Sequence, residues 1–157
     1  NTAWAFAKAD VRATKPLLEA IAAEAVKKKF TAQAMANTAW ALAKADVAAP
    51  SFFAVVAAEA EGRLREFTAQ AMANVAWAFA KTENAAPQLF EAIAEEARGR
   101  LGEFSAQALA NTAWAFAKRA SDDDSDSAFF AAIATEAQGR LGEFSPQALA
   151  NTAWAFA

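Results

Sequence analysis

Three side chains able to recognise a polymer recur at fixed spacing: a glutamine, an asparagine four residues on, and a lysine seven beyond that. The sets are Gln33/Asn37/Lys44, Gln70/Asn74/Lys81 and Gln107/Asn111/Lys118, with partial copies at Asn1/Lys8 and Gln147/Asn151. A carboxamide carries an acceptor beside its donors, and an ammonium adds a compact charge. Lysines next to amides suit a phosphate backbone with base edges beside it. Catalysis has no comparable signature. The chain contains no His and no Cys, and no convergent acid–base constellation supplies a nucleophile or general base. The pattern predicts a binding protein rather than an enzyme, with no cofactor, no metal and no small-molecule substrate.

These residues belong to a stretch that occurs five times. It reads FTAQAMANTAWALAK at 30–44, FTAQAMANVAWAFAK at 67–81 and FSAQALANTAWAFAK at 104–118, with NTAWAFAK at 1–8 and FSPQALANTAWAFA at 144–157. Trp4, Trp40, Trp77, Trp114 and Trp154 mark a period of mostly 37 residues. A period between about 20 and 50 residues is the mark of a repeat array. The expected fold is all-α: a right-handed α-solenoid of stacked helical hairpins, about four repeats with half-repeats at the ends. The units run approximately 1–29, 30–66, 67–103 and 104–143, with a further one starting at 144–157. Copies of the motif stand at both termini without polar capping faces, so an excerpt of a longer repeat protein is expected.

Each unit divides into two helices. Thr31, Thr68, Ser105 and Ser145 are N-cap residues for the first, and Phe30, Phe67, Phe104 and Phe144 precede them as staples. Pro146 occupies a first helical position, where its missing N–H costs little. The second helix begins near Pro16, Pro50 or Pro87 and carries an apolar set such as Phe52, Phe53 and Val56. A glutamate follows in every copy (Glu24, Glu59, Glu96, Glu136), and arginines (Arg63, Arg65, Arg98, Arg100, Arg140) gather at the far end, where cations suit the helix dipole. Gly102 and Gly142 are read as residues just past a helix end, and Gly62, Gly99 and Gly139 as points of close packing. The fourth unit carries the insertion 121–127. Asp122, Asp124 and Asp126 alternate there as in the start of a calcium loop, but Ser127 and Ile133 stand at the positions that need Gly and Glu. It reads as an acidic, solvated linker.

On a helical wheel at about 100° per residue, Met35, Ala39 and Leu42 fall on one side, and Gln33, Asn37 and Lys44 on the other, with Trp40 at the border. Charge is segregated in the same sense. The chain of 157 residues is formally −3, yet no copy of the first helix contains an acid. No apolar run approaches the roughly 18 residues of a membrane-spanning helix, so no membrane insertion is expected. Each member of the stripe also has a structural reading. Asn can bond a neighbouring repeat's backbone, and Gln can satisfy a free amide of the helix end. Trp can be inter-repeat core rather than a base-stacking platform.

The stretch Phe-Ser/Thr-x-Gln-x-Met/Leu-Ala-Asn-Thr-x-Trp-Ala-x-Ala-Lys resembles the octotricopeptide repeat, a helical-hairpin repeat, and the related repeats of FAST kinase-like and apicomplexan heptatricopeptide organellar proteins. The resemblance covers essentially the whole chain. It implies a soluble factor of a chloroplast or mitochondrion that binds single-stranded RNA along the first helices and acts in transcript stability, processing or translation. On the same resemblance, the alternative is a structural subunit that holds other subunits of an organellar ribonucleoprotein assembly. The period differs slightly from the family's, and the family's frequent C-terminal RAP domain is not among these residues.

Overall fold

The computed structural model describes residues 15–119 and 126–157, and among these it is all-helical. Asn1, Trp4, Lys8 and the insertion residues 121–125 lie outside the described residues. The second helices are α1 (Lys15–Ala25), α3 (Pro50–Glu61), α5 (Pro87–Arg98) and α7 (Ser127–Gln138). The first helices are α2 (Ala32–Lys44), α4 (Ala69–Lys81), α6 (Ala106–Arg119) and α8 (Pro146–Ala155). Short 3-10 turns at Leu64–Glu66, Leu101–Glu103 and Leu141–Glu143 lead from α3, α5 and α7 into the next unit.

The first helices start where their caps dictate. Thr31 accepts from the Ala34 amide at 3.2 Å, Thr68 from Ala71 at 3.1 Å, Ser105 from Ala108 at 3.1 Å and Ser145 from Ala148 at 3.1 Å. The far ends of α2 and α4 close by the six-to-one bond of a Schellman motif. The Val47 amide donates to Leu42 O at 3.0 Å, and that of Asn84 to Phe79 O at 3.2 Å. The turn puts Asp46 (φ 50°) and Glu83 (φ 54°) in the left-handed region.

The first helices form one layer and the second helices another. Among the described residues, α2, α4, α6 and α8 lie side by side with the most extensive backbone contact of any elements, and the second helices stack behind them. Alanine makes this possible: Ala71, Ala73, Ala76 and Ala78 of α4 are completely buried between α2 and α6. Phenylalanines join the layers and the units. Phe79 of α4 meets Phe53 of α3 edge-on at 5.0 Å, and Phe116 of α6 meets Phe90 of α5 at 5.0 Å and Phe129 of α7 at 4.8 Å. Each fully buried ring contributes about 1.5–3 kcal/mol by leaving water. Successive units therefore bury a continuous core, the arrangement of an α-solenoid.

The glutamate–arginine pattern of the second helices closes each hairpin. Arg63 donates to Phe30 O at 3.2 Å, Arg100 to Phe67 O at 3.1 Å and Arg140 to Phe104 O at 2.9 Å. The same guanidiniums pair with Glu59, Glu96 and Glu136 one turn back. They also pair with Glu66, Glu103 and Glu143 three residues on, at 2.7, 2.9 and 2.8 Å. Those last bonds hold the Glu66, Glu103 and Glu143 carboxyls below the usual glutamate value. In the first unit, Glu24 pairs with Lys27 and Lys28 instead.

The glycines depart from the sequence reading. Gly102 and Gly142 lie inside the 3-10 turns, and no described glycine has positive φ. Gly62, Gly99 and Gly139 are the C-caps of α3, α5 and α7 with right-handed backbone, and a Cβ at Gly62 or Gly99 would meet open space. They end helices rather than permit close packing. Asp126 corrects the view of the insertion as wholly solvated, because it is buried and pairs with the Arg119 guanidinium. Arg119 in turn lies over the Phe90 ring at 4.7 Å.

Candidate nucleic-acid interface

The tight packing of the first helices leaves few of their residues in reach of a ligand. On α4 every residue from Ala69 to Ala80 is buried except Gln70, which is exposed, and Trp77, which is half-buried. Lys81 ends the helix, half-exposed. Along α2, α4 and α6 the accessible residues are thus mainly the Gln, Trp and Lys of the repeated stripe with Asn beside them, whereas α8 also exposes Leu149, Ala150 and Ala153. Burial confirms the wheel: Met35 is 1% exposed and Ala39 and Leu42 are fully buried, while Gln33 and Lys44 are exposed.

Glutamine and asparagine are bonded to one another in every described copy. The amino group of Gln33 donates to Asn37 Oδ1 at 2.8 Å, Gln70 to Asn74 at 2.9 Å, Gln107 to Asn111 at 2.8 Å and Gln147 to Asn151 at 2.9 Å. The four-residue spacing puts both side chains on one helix face one turn apart, which is what the bond requires. Two structural readings fall away together. Among the described residues no asparagine of the stripe bonds a neighbouring repeat, and no glutamine caps a free backbone amide. Asn74 is the most covered asparagine at 8% exposure, and its amide still reaches solvent.

The tryptophans form a ladder. Ring centroids of Trp40 and Trp77 are 6.3 Å apart, those of Trp77 and Trp114 6.2 Å, and those of Trp114 and Trp154 6.1 Å, each pair tilted by about the same angle (37°, 34° and 36°). Each inner ring is half-buried between its neighbours, so a base cannot stack between rings without prising the repeats apart. The ladder is an inter-repeat element whose outer edge stays at the surface. Trp154 is 56% exposed.

The lysine row differs from its sequence reading. Although the first helices contain no acid, the stack brings one to each inner lysine from the preceding linker. Lys81 Nζ lies 3.0 Å from Asp46 Oδ1, and Lys118 Nζ 3.7 Å from Glu83 Oε1. Both acids are the left-handed residues of the helix ends, two positions after the lysine of their own unit. The Lys-x-Asp/Glu spacing in the sequence is the signal for this bridge, because one repeat's rise along the stack carries each acid to the next lysine. Lys44 instead lies over the Trp40 ring at 5.0 Å, and Lys118 also approaches the Trp114 ring at 5.7 Å. Bridges this exposed are worth about 0–1 kcal/mol, so a polyanion can compete for the lysines.

Four parallel rows therefore run along the layer: glutamine, asparagine, tryptophan, and lysine paired with acid. Grooves of about 370 Å³ and 270 Å³ adjoin the Lys81 and Lys118 bridges, and Asn84 borders both. Among the described residues there is no cluster of acids fit to hold a metal ion and no helix long and apolar enough to cross a membrane. Asp122 and Asp124 fall outside those residues. Compared with known proteins, the chain matches no family model, no curated protein and no solved structure.

Proposed function

We propose that this array binds single-stranded RNA along the first-helix layer and acts in an organelle on transcript stability, processing or translation. The observation that carries the reading is the row of four Gln–Asn pairs, bonded at 2.8–2.9 Å in every described copy with the glutamine exposed each time. A periodic row of donors and acceptors fits a periodic ligand, and helical repeats elsewhere read about one base each. The lysine row supplies phosphate contacts at one border of the amide rows, and the resemblance to organellar octotricopeptide repeats points to the same ligand. The test is binding of single-stranded RNA across a salt series. Replacing Lys44, Lys81 and Lys118 together by Ala should weaken binding and flatten its dependence on salt. An unchanged slope would remove the lysines from the interface.

A second reading has its own support. The inner lysines already have acidic partners, and the chain is formally −3. A face so balanced also suits a scaffold that holds other subunits of an organellar assembly. Such a partner would bind with little salt dependence and would not be displaced by RNA.

A further inference from the structure

Resting on the RNA reading, we infer that the residues discriminating between bases stand in the linkers, as the pairs Val47/Thr82 and Asn84/Arg119, and that the two grooves they border seat bases of the strand. The amide row cannot tell one position of a strand from the next. Its Gln, its Asn and the bond between them repeat at 2.8–2.9 Å in all four described copies. Identical units offer every base the same contacts and so add affinity alone. Helical repeats that read a sequence do so through two or three side chains that differ from repeat to repeat. Such residues are to be sought where successive units differ beside the lysine row.

The grooves at the two lysine bridges meet that condition. The first, of about 370 Å³, has Asp46, Val47, Ala48, Lys81 and Thr82 in its wall. The second, of about 270 Å³, has Glu83, Asn84, Ala85, Lys118 and Arg119 at the five corresponding places. These volumes lie near the lower end of the roughly 300–1,000 Å³ of small-molecule sites, which suits a single flat base. Acid, alanine and lysine keep their kind between the grooves. The other two places change, valine to asparagine and threonine to arginine. Val47 is 3% exposed, and Thr82, Asn84 and Arg119 are half-buried. The residue that closes a Schellman motif favours an apolar side chain, and Asn84 departs from that preference. Asn84 spends one N–H on Thr82 Oγ1 at 2.7 Å, which leaves its carbonyl and its second N–H. Arg119 spends one amino group on Asp126 and lies 4.7 Å from the centre of the Phe90 ring, another wall of the second groove. The first groove thus offers a branched apolar side chain and a hydroxyl, the second a carboxamide and a guanidinium. A phosphate that displaces Asp46 or Glu83 from its lysine would sit at the rim, with its base beside these walls.

The test selects strands from a pool of single-stranded RNA of random sequence with the full chain. Binding of the selected strand and of each of its single-base changes is then measured. N84V and R119T each install the residue found at the corresponding place of the first groove, and Q70A probes the invariant row. Circular dichroism checks the fold, and N84V carries the test alone if R119T loses it. The wild-type chain should select a sequence and lose about tenfold for a wrong base at either groove. N84V should change the preferred base at two neighbouring positions, because Asn84 borders both grooves, with an unchanged salt slope. R119T should change it at one of the two. Q70A should weaken every strand alike. Selection of no sequence by the wild-type chain, a preference untouched by N84V, or one abolished by Q70A would each overturn the inference while leaving RNA binding intact. Absence of binding to any RNA would overturn the RNA reading itself.

Discussion

Replacing Arg100 by Ala should destabilise the array far more than replacing Arg65, although both arginines sit at the same end of the hairpins. Arg100 ties its helix end to the start of the unit through Phe67 O at 3.1 Å, and its side chain is 23% exposed. A hydrogen bond from a charged donor is worth about 1.5–3 kcal/mol. The ion pair with Glu96, whose side chain is also 23% exposed, adds up to about 1 kcal/mol. Allowing for the greater freedom of the solvated side chain, the loss should be about 2 kcal/mol. Arg65 is exposed, and its replacement should stay within about 0.5 kcal/mol. Arg100→Lys should recover little, since a lysine lacks the fork that reaches three partners at once.

Urea unfolding followed by circular dichroism measures the difference. Because repeats are coupled through neighbouring interfaces, loosening the third hairpin should lower the midpoint and, if the ends separate from the middle, the slope as well. An R100A midpoint indistinguishable from that of R65A would refute the view that this guanidinium closes the hairpin.

The Glu66, Glu103 and Glu143 carboxyls are held below the ordinary glutamate value of 4.5 by hydrogen bonds from Arg63, Arg100 and Arg140. Groups with a depressed folded value add stability above 4.5 and lose it as pH falls through that folded value, so the urea midpoint should drop on acidification below 4.5, and less steeply in R100A. Ala76 is completely buried where the first helices meet, so Ala76→Leu should cost about 1–3 kcal/mol by overpacking, read in the same unfolding experiment. The double variant D46N/E83Q releases Lys81 and Lys118 from their bridges. It should bind single-stranded RNA more tightly with a steeper salt slope, and an affinity equal to wild type would show that the bridges do not compete with phosphate.

Much of the fold was legible because it is local. Thr31 and Thr68 announce helix starts, Pro50 and Pro87 stand at the first positions of α3 and α5, and Lys44 and Lys81 close α2 and α4. The wheel also placed Gln, Asn and Lys on the accessible side. What escaped were the polar interactions whose partners meet only when units fold back or stack. Arg100 reaches a carbonyl 33 residues away, and Lys81 an acid 35 residues away. A dipole argument explains a cation near a helix end but does not say which distant acceptor it finds. The Gln–Asn bond escaped as well, although its partners stand only four residues apart on one helix face. The ends of the second helices were misread because Gly102 was taken as the residue just past the helix, whereas Gly99 caps α5 and Gly102 lies in the 3-10 turn Leu101–Glu103.

The acids beside the lysine row bear on why the face is built this way. Asp46 and Glu83 hold φ of 50° and 54°, a region that costs a residue with a side chain of the order of 1 kcal/mol or more. Aspartate tolerates it better than most, but glutamate has no such advantage. Glycine there would remove the strain and keep the Schellman bonds, which are made by backbone alone. The bridge to Lys118 returns about 0–1 kcal/mol at best, since the Glu83 side chain is 82% exposed and 3.7 Å away. Stability therefore does not favour the acid over glycine. Its negative charge does something glycine cannot: it lies against the lysine of the next unit and occupies the place where a polyanion's charge would sit. On the proposed RNA reading, Lys81 and Lys118 so covered would bind indiscriminate polyanions weakly.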